Sequence, residues 1–154
     1  MRHTRLMVFV LALSLTPVLA GASTSPRAAV LATVHQFMDG LNKNDLKTAF
    51  AACASPASII DDIPPHEWHG AAACQQWLSS YNADNQKNGV VGGPVTLGTP
   101  WHVDISDDTA YVVVPATYAF TQHGKPMTES AVWTVALKQL ATGWRITGWT
   151  WSQH

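Results

Sequence analysis

The chain has 154 residues, 47% of them apolar and only 12% charged, with seven tryptophans, so it has more apolar surface to bury than charge to solvate. With the first 22 residues set aside, seven basic side chains stand against ten acidic ones, a net charge of −3, with no basic stripe and no glycine-rich phosphate loop. Nucleic acid is excluded as a partner, because phosphate binding needs a concentrated positive footprint. No motif implies a cofactor.

Arg2 and Arg5 precede an apolar run over residues 6–15; Pro17 breaks it, and Ala20-Gly21-Ala22 supplies small residues for cleavage. Residues 1–22 therefore read as a secretory signal peptide cut after Ala22, with the bond after Ala20 as second choice, followed by a flexible tail over residues 23–27. An uncleaved anchor is the competing reading, but the run is shorter than the roughly 20 residues that span a bilayer. No later segment is long enough to cross a membrane. The expectation is an exported protein, periplasmic or secreted, with no membrane contact after cleavage and one domain over residues 28–154.

Within that domain Val30, Val34, Phe37, Met38 and Leu41 recur at helical spacing, and Gly40 and Asn42 mark the helix end. Asn44 stands where an N-cap belongs and Asp45 suits the positive end of a short second helix carrying Leu46, Phe50 and Cys53 on one face. Ser55-Pro56 stops it. Residues 57–63 read as a strand ended by Pro64-Pro65, residues 66–70 as a brief extended piece, and residues 71–81 as a helix with Cys74, Trp77, Leu78 and Tyr81 on its apolar side. Cys53 and Cys74 thus lie on apolar helix faces. In an oxidising compartment they form one disulfide, or each is a small buried hydrophobe. Residues 82–94 read as loop.

The remainder is strand and turn. Residues 95–105, kinked at Pro100, then 110–121, 129–139 and 144–152 are joined by short polar turns, as in an antiparallel meander. Helices first and meander second give an α+β fold: a strongly curved antiparallel sheet of four strands plus a short N-terminal one, with about three helices packed on one face.

This order resembles the nuclear transport factor 2-like superfamily and, within it, the SnoaL-like group. The residues carrying the likeness are Val34-His35-Gln36-Phe37-Met38, Asn44-Asp45-Leu46, Asp61-Asp62, Gly70-Ala71, Asp108-Thr109-Ala110-Tyr111-Val112 and Gly143-Trp144-Arg145-Ile146. The resemblance implies a cone-shaped barrel, with the helices on the concave face of the sheet and a pocket between them. It also implies a range of functions, from ketosteroid isomerase, polyketide cyclases, dehydratases and epoxide hydrolases to members that only bind or associate. No family-specific catalytic motif maps onto this chain residue by residue.

The richest chemistry lies in Asp61-Asp62-Ile63-Pro64-Pro65-His66-Glu67-Trp68-His69. A carboxylate partly buried in an apolar cone gains a raised pKa and serves as general acid or base, so Asp61 or Asp62 with His66 is the expected acid–base pair. Adjacent strand residues face opposite sides, so only one aspartate is expected inward. The purely structural alternative has Asp62 accepting backbone hydrogen bonds ahead of the prolines and His66 solvated. A metal site using His66 and His69 is disfavoured, since two prolines argue against the helix that would align them. No serine sits in a nucleophile elbow.

The aromatic residues offer pocket walls: Trp68, Trp101, Tyr118, Phe120 and Trp133 are the expected lining, unless they are plain core. Alternation puts Trp144 and Ile146 on one face of the last strand and Trp149 and Trp151 on the other. With Tyr111, Val113 and Val132 these form an expected convex apolar face for a homodimer, unless the C-terminal strand curls and loops cover the tryptophans. The resemblance adds that such domains commonly pair there. The expected function is binding of a small apolar ligand, with lyase or isomerase chemistry. The alternative is a non-catalytic homodimerising module whose pocket is vestigial. An enzyme requires an inward carboxylate or histidine in an open cavity; an association module requires that cavity filled by Trp and Phe.

Overall fold

A computed structural model describes residues 24–153. The expected signal peptide, residues 1–22, lies outside the described residues. The first helix, α1 (Pro26–Asn42), starts inside the expected tail: Pro26 needs no hydrogen-bond partner for its nitrogen, and Ser25 Oγ accepts from the Ala28 N–H at 3.2 Å. Val30, Val34, Phe37 and Met38 are buried along one face, as their spacing predicts. Asn44 takes a left-handed conformation with φ of 54°, so the cap of α2 (Leu46–Ala51) falls one residue later, on Asp45, which accepts from the Thr48 N–H at 3.1 Å. Gly40 permits the close approach of the two helices, since a Cβ there would stand 2.6 Å from the Ala49 nitrogen.

Strand β1 (Cys53–Ile60) begins and ends earlier than expected, so Cys53 opens a strand instead of closing a helix. It still reaches Cys74, in the first turn of α3 (Ala73–Lys87), in a disulfide with Cα atoms 6.8 Å apart. Strand β2 (Glu67–Gly70) folds back antiparallel on β1. Helix α3 runs past Tyr81 to Lys87, taking up half of the expected loop. The single strand expected over residues 95–105 is divided. After the short β3 (Val90–Val91) come β4 (Val95–Leu97) and β5 (His102–Ser106), each paired with a different stretch of β6 (Thr109–Gln122). Gly98, Thr99 and Pro100 interrupt it, because Pro100 has no N–H for the ladder.

The meander continues through β7 (Lys125–Leu140) and β8 (Gly143–Gln153). His123 and Gly124, with φ of 50° and 79°, form the tight turn between β6 and β7. The sheet order is β2-β1-β8-β7-β6-β3, with β4 and β5 also on β6. Because β1 lies parallel to β8, the sheet is mixed and not wholly antiparallel. Turn signals specify which sequence neighbours pair; the meeting of β1 and β8, from opposite ends of the domain, comes from shared burial of Ile59 and Ile146. The sheet curls into a half-barrel whose concave side, including Val112, Val114, Val135 and Leu137, packs beneath the helices.

One irregularity reverses part of the expected facing. Leu137 pairs with Ile146 but Ala136 pairs with Gly148, leaving Thr147 as an extra residue in β8. Beyond it the alternation shifts by one, so Trp149 and Trp151 join Trp144 and Ile146 on the concave side. Trp149 is only 4% exposed and belongs to the core, and Trp151 packs against that core. The expected placement of these two tryptophans on a convex dimer face is therefore overturned, while Tyr111 remains exposed there and Val113 and Val132 are half-buried.

The disulfide closes a loop between residues 21 apart in sequence, pinning the start of β1 to α3. Alkylation without reduction should find no free thiol. Replacing both cysteines by alanine should lower stability by about 3 kcal/mol in denaturant unfolding, as the chain-entropy estimate for such a loop gives; an unchanged midpoint would contradict a bridge in the folded protein.

Candidate active site

A cavity of about 860 Å³ lies between α1, α3 and the concave side of the sheet. Its walls are aromatic and continuous from helix to strand. Phe37 stacks on Trp133 with centroids 5.7 Å apart, Trp77 meets Trp149 edge to face at 4.8 Å, and Tyr118 stacks on Phe120 at 4.7 Å. The helical spacing of Phe37, Trp77 and Tyr81 and the alternation of Tyr118, Phe120 and Trp133 aim these rings inward.

Against these walls stand three grouped carboxyls, on Asp61, Asp62 and Glu129, with Asp84 a fourth acid in the lining. Asp61 follows the last residue of β1, in a tight loop where its N–H bonds to the His66 carbonyl at 3.0 Å and the His66 N–H to the Ile63 carbonyl at 2.8 Å. Asp61 is 8% exposed. Its Oδ2 accepts from Trp77 Nε1 at 2.6 Å and its Oδ1 from the Asp62 N–H at 2.7 Å. Burial, with the neighbouring Asp62 carboxyl adding to it and the Trp77 N–H opposing it, pushes the Asp61 pKa up to about 7. Glu129, on β7, accepts from Trp151 Nε1 at 2.7 Å and from Gln153 Nε2 at 3.1 Å. Gln153 also donates to Asp62, so one amide links the two acids. Burial first, and then the Asp62 charge, raise the Glu129 pKa against the Trp151 hydrogen bond. Across the cavity the Tyr118 and Tyr81 hydroxyls are 2.5 Å apart, and burial with that contact holds the Tyr118 phenol in its protonated form, well above its ordinary range.

Several expectations meet this geometry and others do not. Asp61 is buried and Asp62 is exposed; both border the cavity, Asp62 from its solvent-open side. His66 is exposed; its Nδ1 lies 3.3 Å from the Asp61 backbone carbonyl and makes no contact with the carboxylate, so the expected Asp–His pair does not form. Tyr118, Phe120 and Trp133 are in the wall. Trp68 is buried away from the cavity between β2 and α3, its Nε1 donating to Ser80 Oγ at 3.2 Å. Trp101 is 62% exposed, because the break between β4 and β5 turns it outward. Glu129 and Gln153 escaped the sequence reading. Glu129 had a signal, since it shares the parity of Trp133 and Val135 on β7; Gln153 had none, since its facing depends on the bulge.

Helices laid over a curled mixed sheet, with a cavity between them carrying acidic groups among aromatic rings, define a nuclear transport factor 2-like cone. The chain belongs to the SnoaL-like domain family, whose model matches residues 30–154. Among solved structures it is similar to a ketosteroid isomerase-like protein from Erwinia carotovora atroseptica, at 18% identity and a TM-score of 0.66 over 82% of this chain and 94% of that one. It is also similar to the CaMKII hub of S. rosetta, at 18% identity and 0.69 over 86% and 100%. An NTF2-like protein from Cytophaga hutchinsonii aligns at 11% identity and 0.64 over 85% and 100%. Such identities establish the fold alone. No curated protein matches the chain.

The raised Asp61 pKa has a consequence for stability. From about pH 4 to about pH 7 folded Asp61 keeps a proton that the unfolded chain has released, so its contribution to stability falls as pH rises through that window and levels off above it. The thermal midpoint should drop between about pH 4 and about pH 7, and Asp61→Asn should flatten that drop by several degrees. An identical pH dependence in the variant would show that the carboxyl titrates in its ordinary range.

Proposed function

We propose that the chain is an exported SnoaL-like protein that binds a small, largely apolar molecule and carries out acid–base chemistry of the isomerase or lyase class on it, with Asp61 as the proton-transferring group. One observation carries this reading: a buried carboxyl with a pKa of about 7 opens onto a roomy aromatic cavity. A general base works best with a pKa near the operating pH, and an apolar wall raises a carboxyl to that value. Asp61 would take a proton from carbon beside a carbonyl, while the neutral Tyr118 phenol donates a hydrogen bond to the oxygen that gains charge. Return of that proton to another carbon completes an isomerisation; loss of a leaving group from the neighbouring carbon completes an elimination. The open cavity supports ligand binding over a pocket filled by its own Trp and Phe side chains. The charged, apolar and small-residue pattern of residues 1–22 supports export, and so does the disulfide; no helix among the described residues is long and apolar enough to cross a membrane.

The test is exchange of carbon-bound hydrogen with deuterated solvent, followed by NMR over a panel of cyclic unsaturated ketones. The protein should accelerate exchange for ketones that fit, with a rate that rises as Asp61 ionises. Asp61→Asn should lower that rate by about a hundred-fold or more. An unchanged rate in the variant would remove Asp61 from the chemistry.

A second reading concerns assembly, favoured by the exposure of Tyr111 at 46% beside Val113, Val132 and the outward Trp101. This convex patch, without Trp149 and Trp151, would pair with a second copy of the chain. Light scattering on the mature protein at tens of micromolar should then give a dimer that Tyr111→Arg splits without unfolding; a monomeric wild type would end this reading.

A further inference from the structure

Among the described residues, the cavity lining holds four acidic side chains, Asp61, Asp62, Asp84 and Glu129, and no Lys, Arg or His. The donors that hold the three grouped acids are all neutral. Trp77 and the Asp62 backbone serve Asp61, Trp151 serves Glu129, and Gln153 serves both Asp62 and Glu129. Neutral donors satisfy lone pairs but leave net charge in place, and the half-buried Glu129 keeps more of its field than the exposed Asp62, because less water screens it. A carboxylate or phosphate ligand would enter against that field. A positive group would be drawn along it.

The walls suit the same kind of guest. Trp151, half-buried and donating to Glu129, lines the cavity beside these acids, and an indole face attracts a cation more strongly than any other side-chain ring. A separate feature marks the wall as incomplete: Trp149 Nε1 is buried and has no hydrogen-bond partner, although buried donors are almost always paired. Every other tryptophan nitrogen named along this wall, on Trp77 and Trp151, donates to an acid.

We propose that the cavity takes an organic cation, a protonated or quaternary amine carried on a flat apolar body, with the charge toward Asp62 and Glu129 and the body against Trp133 and Trp149. This rests on the reading of the cavity as a ligand site and names the class of molecule it selects. The ammonium replaces the missing counter-charge, and the apolar body meets the aromatic wall that Phe37, Trp133 and Trp149 build.

A matched set of probes separates charge from shape: naphthylmethylamine, naphthylmethanol and naphthoate share one apolar body and differ in charge. In calorimetric titrations of the full mature protein, the amine should bind at least about ten-fold more tightly than the alcohol, and naphthoate should not bind at millimolar concentration. The indole N–H resonance of Trp149, assigned by its loss in Trp149→Phe, should move on addition of the amine and report seating in the cavity. Asp62→Asn with Glu129→Gln should abolish the advantage of the amine while changing the alcohol's affinity by less than about three-fold. If the double variant does not fold by circular dichroism, each single variant should still reduce the amine-to-alcohol ratio. Equal binding of amine and alcohol, both moving the Trp149 resonance, would overturn this inference and leave the cavity a ligand site. Failure of amine and alcohol alike to bind would overturn the ligand-site reading and this inference with it.

Discussion

The additional residue that β8 carries at Thr147 governs how the last strand meets everything else. Thr147 Oγ1 donates to the Ala136 carbonyl at 3.2 Å, which holds the irregularity in place, and Gly148 beside it lets β1 come close, since a Cβ there would stand 2.9 Å from the Ser58 carbonyl oxygen. Before this point β8 sends Trp144 and Ile146 inward; after it, Trp149 and Trp151. A strict two-residue alternation would have put the second pair on the outside. The cavity would then lose one side of its aromatic wall, Trp151 could not reach Glu129, and Gln153 could not link Glu129 to Asp62. The acidic site and the apolar wall thus share a single cause in the backbone.

The helices are held to that sheet by a few separate ties, so the cavity is a gap between anchored parts. The disulfide fixes the first turn of α3 to the start of β1. At the other end Asn42, the last residue of α1, makes a two-way clamp on Val95, accepting from its N–H at 2.9 Å and donating to its carbonyl at 2.8 Å. Trp77 joins both roles, packing edge-on to Trp149 and donating to Asp61. Rigid placement of this kind lets a carboxyl stay buried without a cationic partner, because the donors it depends on cannot drift away from it.

The electrostatic character of the site follows from which partners the fold supplies. Asp61 and Glu129 each accept an indole N–H, and both are raised in pKa because burial outweighs what those neutral donors return. His66, three residues beyond the acid pair's next neighbour Ile63 in sequence, takes a positive φ of 77° and lies outside the cavity. The nearby histidine thus meets Asp61 only through its backbone, while the distant Glu129 is linked to Asp62 through Gln153.

The sequence by itself determined the elements that local pattern controls. The apolar spacing of Val30, Val34, Phe37 and Met38 specified α1, the hairpin turns specified the meander, and the crowding of Asp61 and Asp62 after an apolar strand marked the acidic site. These features are written in periods of 3.6 and 2 residues and in turn chemistry, which act between near neighbours. Tertiary structure decided what depends on distant contacts and on breaks in those periods. The parallel seat of β1 against β8, the division at Pro100 that turned Trp101 outward, and the shift at Thr147 that brought Trp149 and Trp151 inward all belong to this class. So does the recruitment of Glu129 and Gln153 to the acidic site. A period predicts facing only while it is unbroken, and Trp101, Trp149 and Trp151 each lie just past a break, one at Pro100 and one at Thr147.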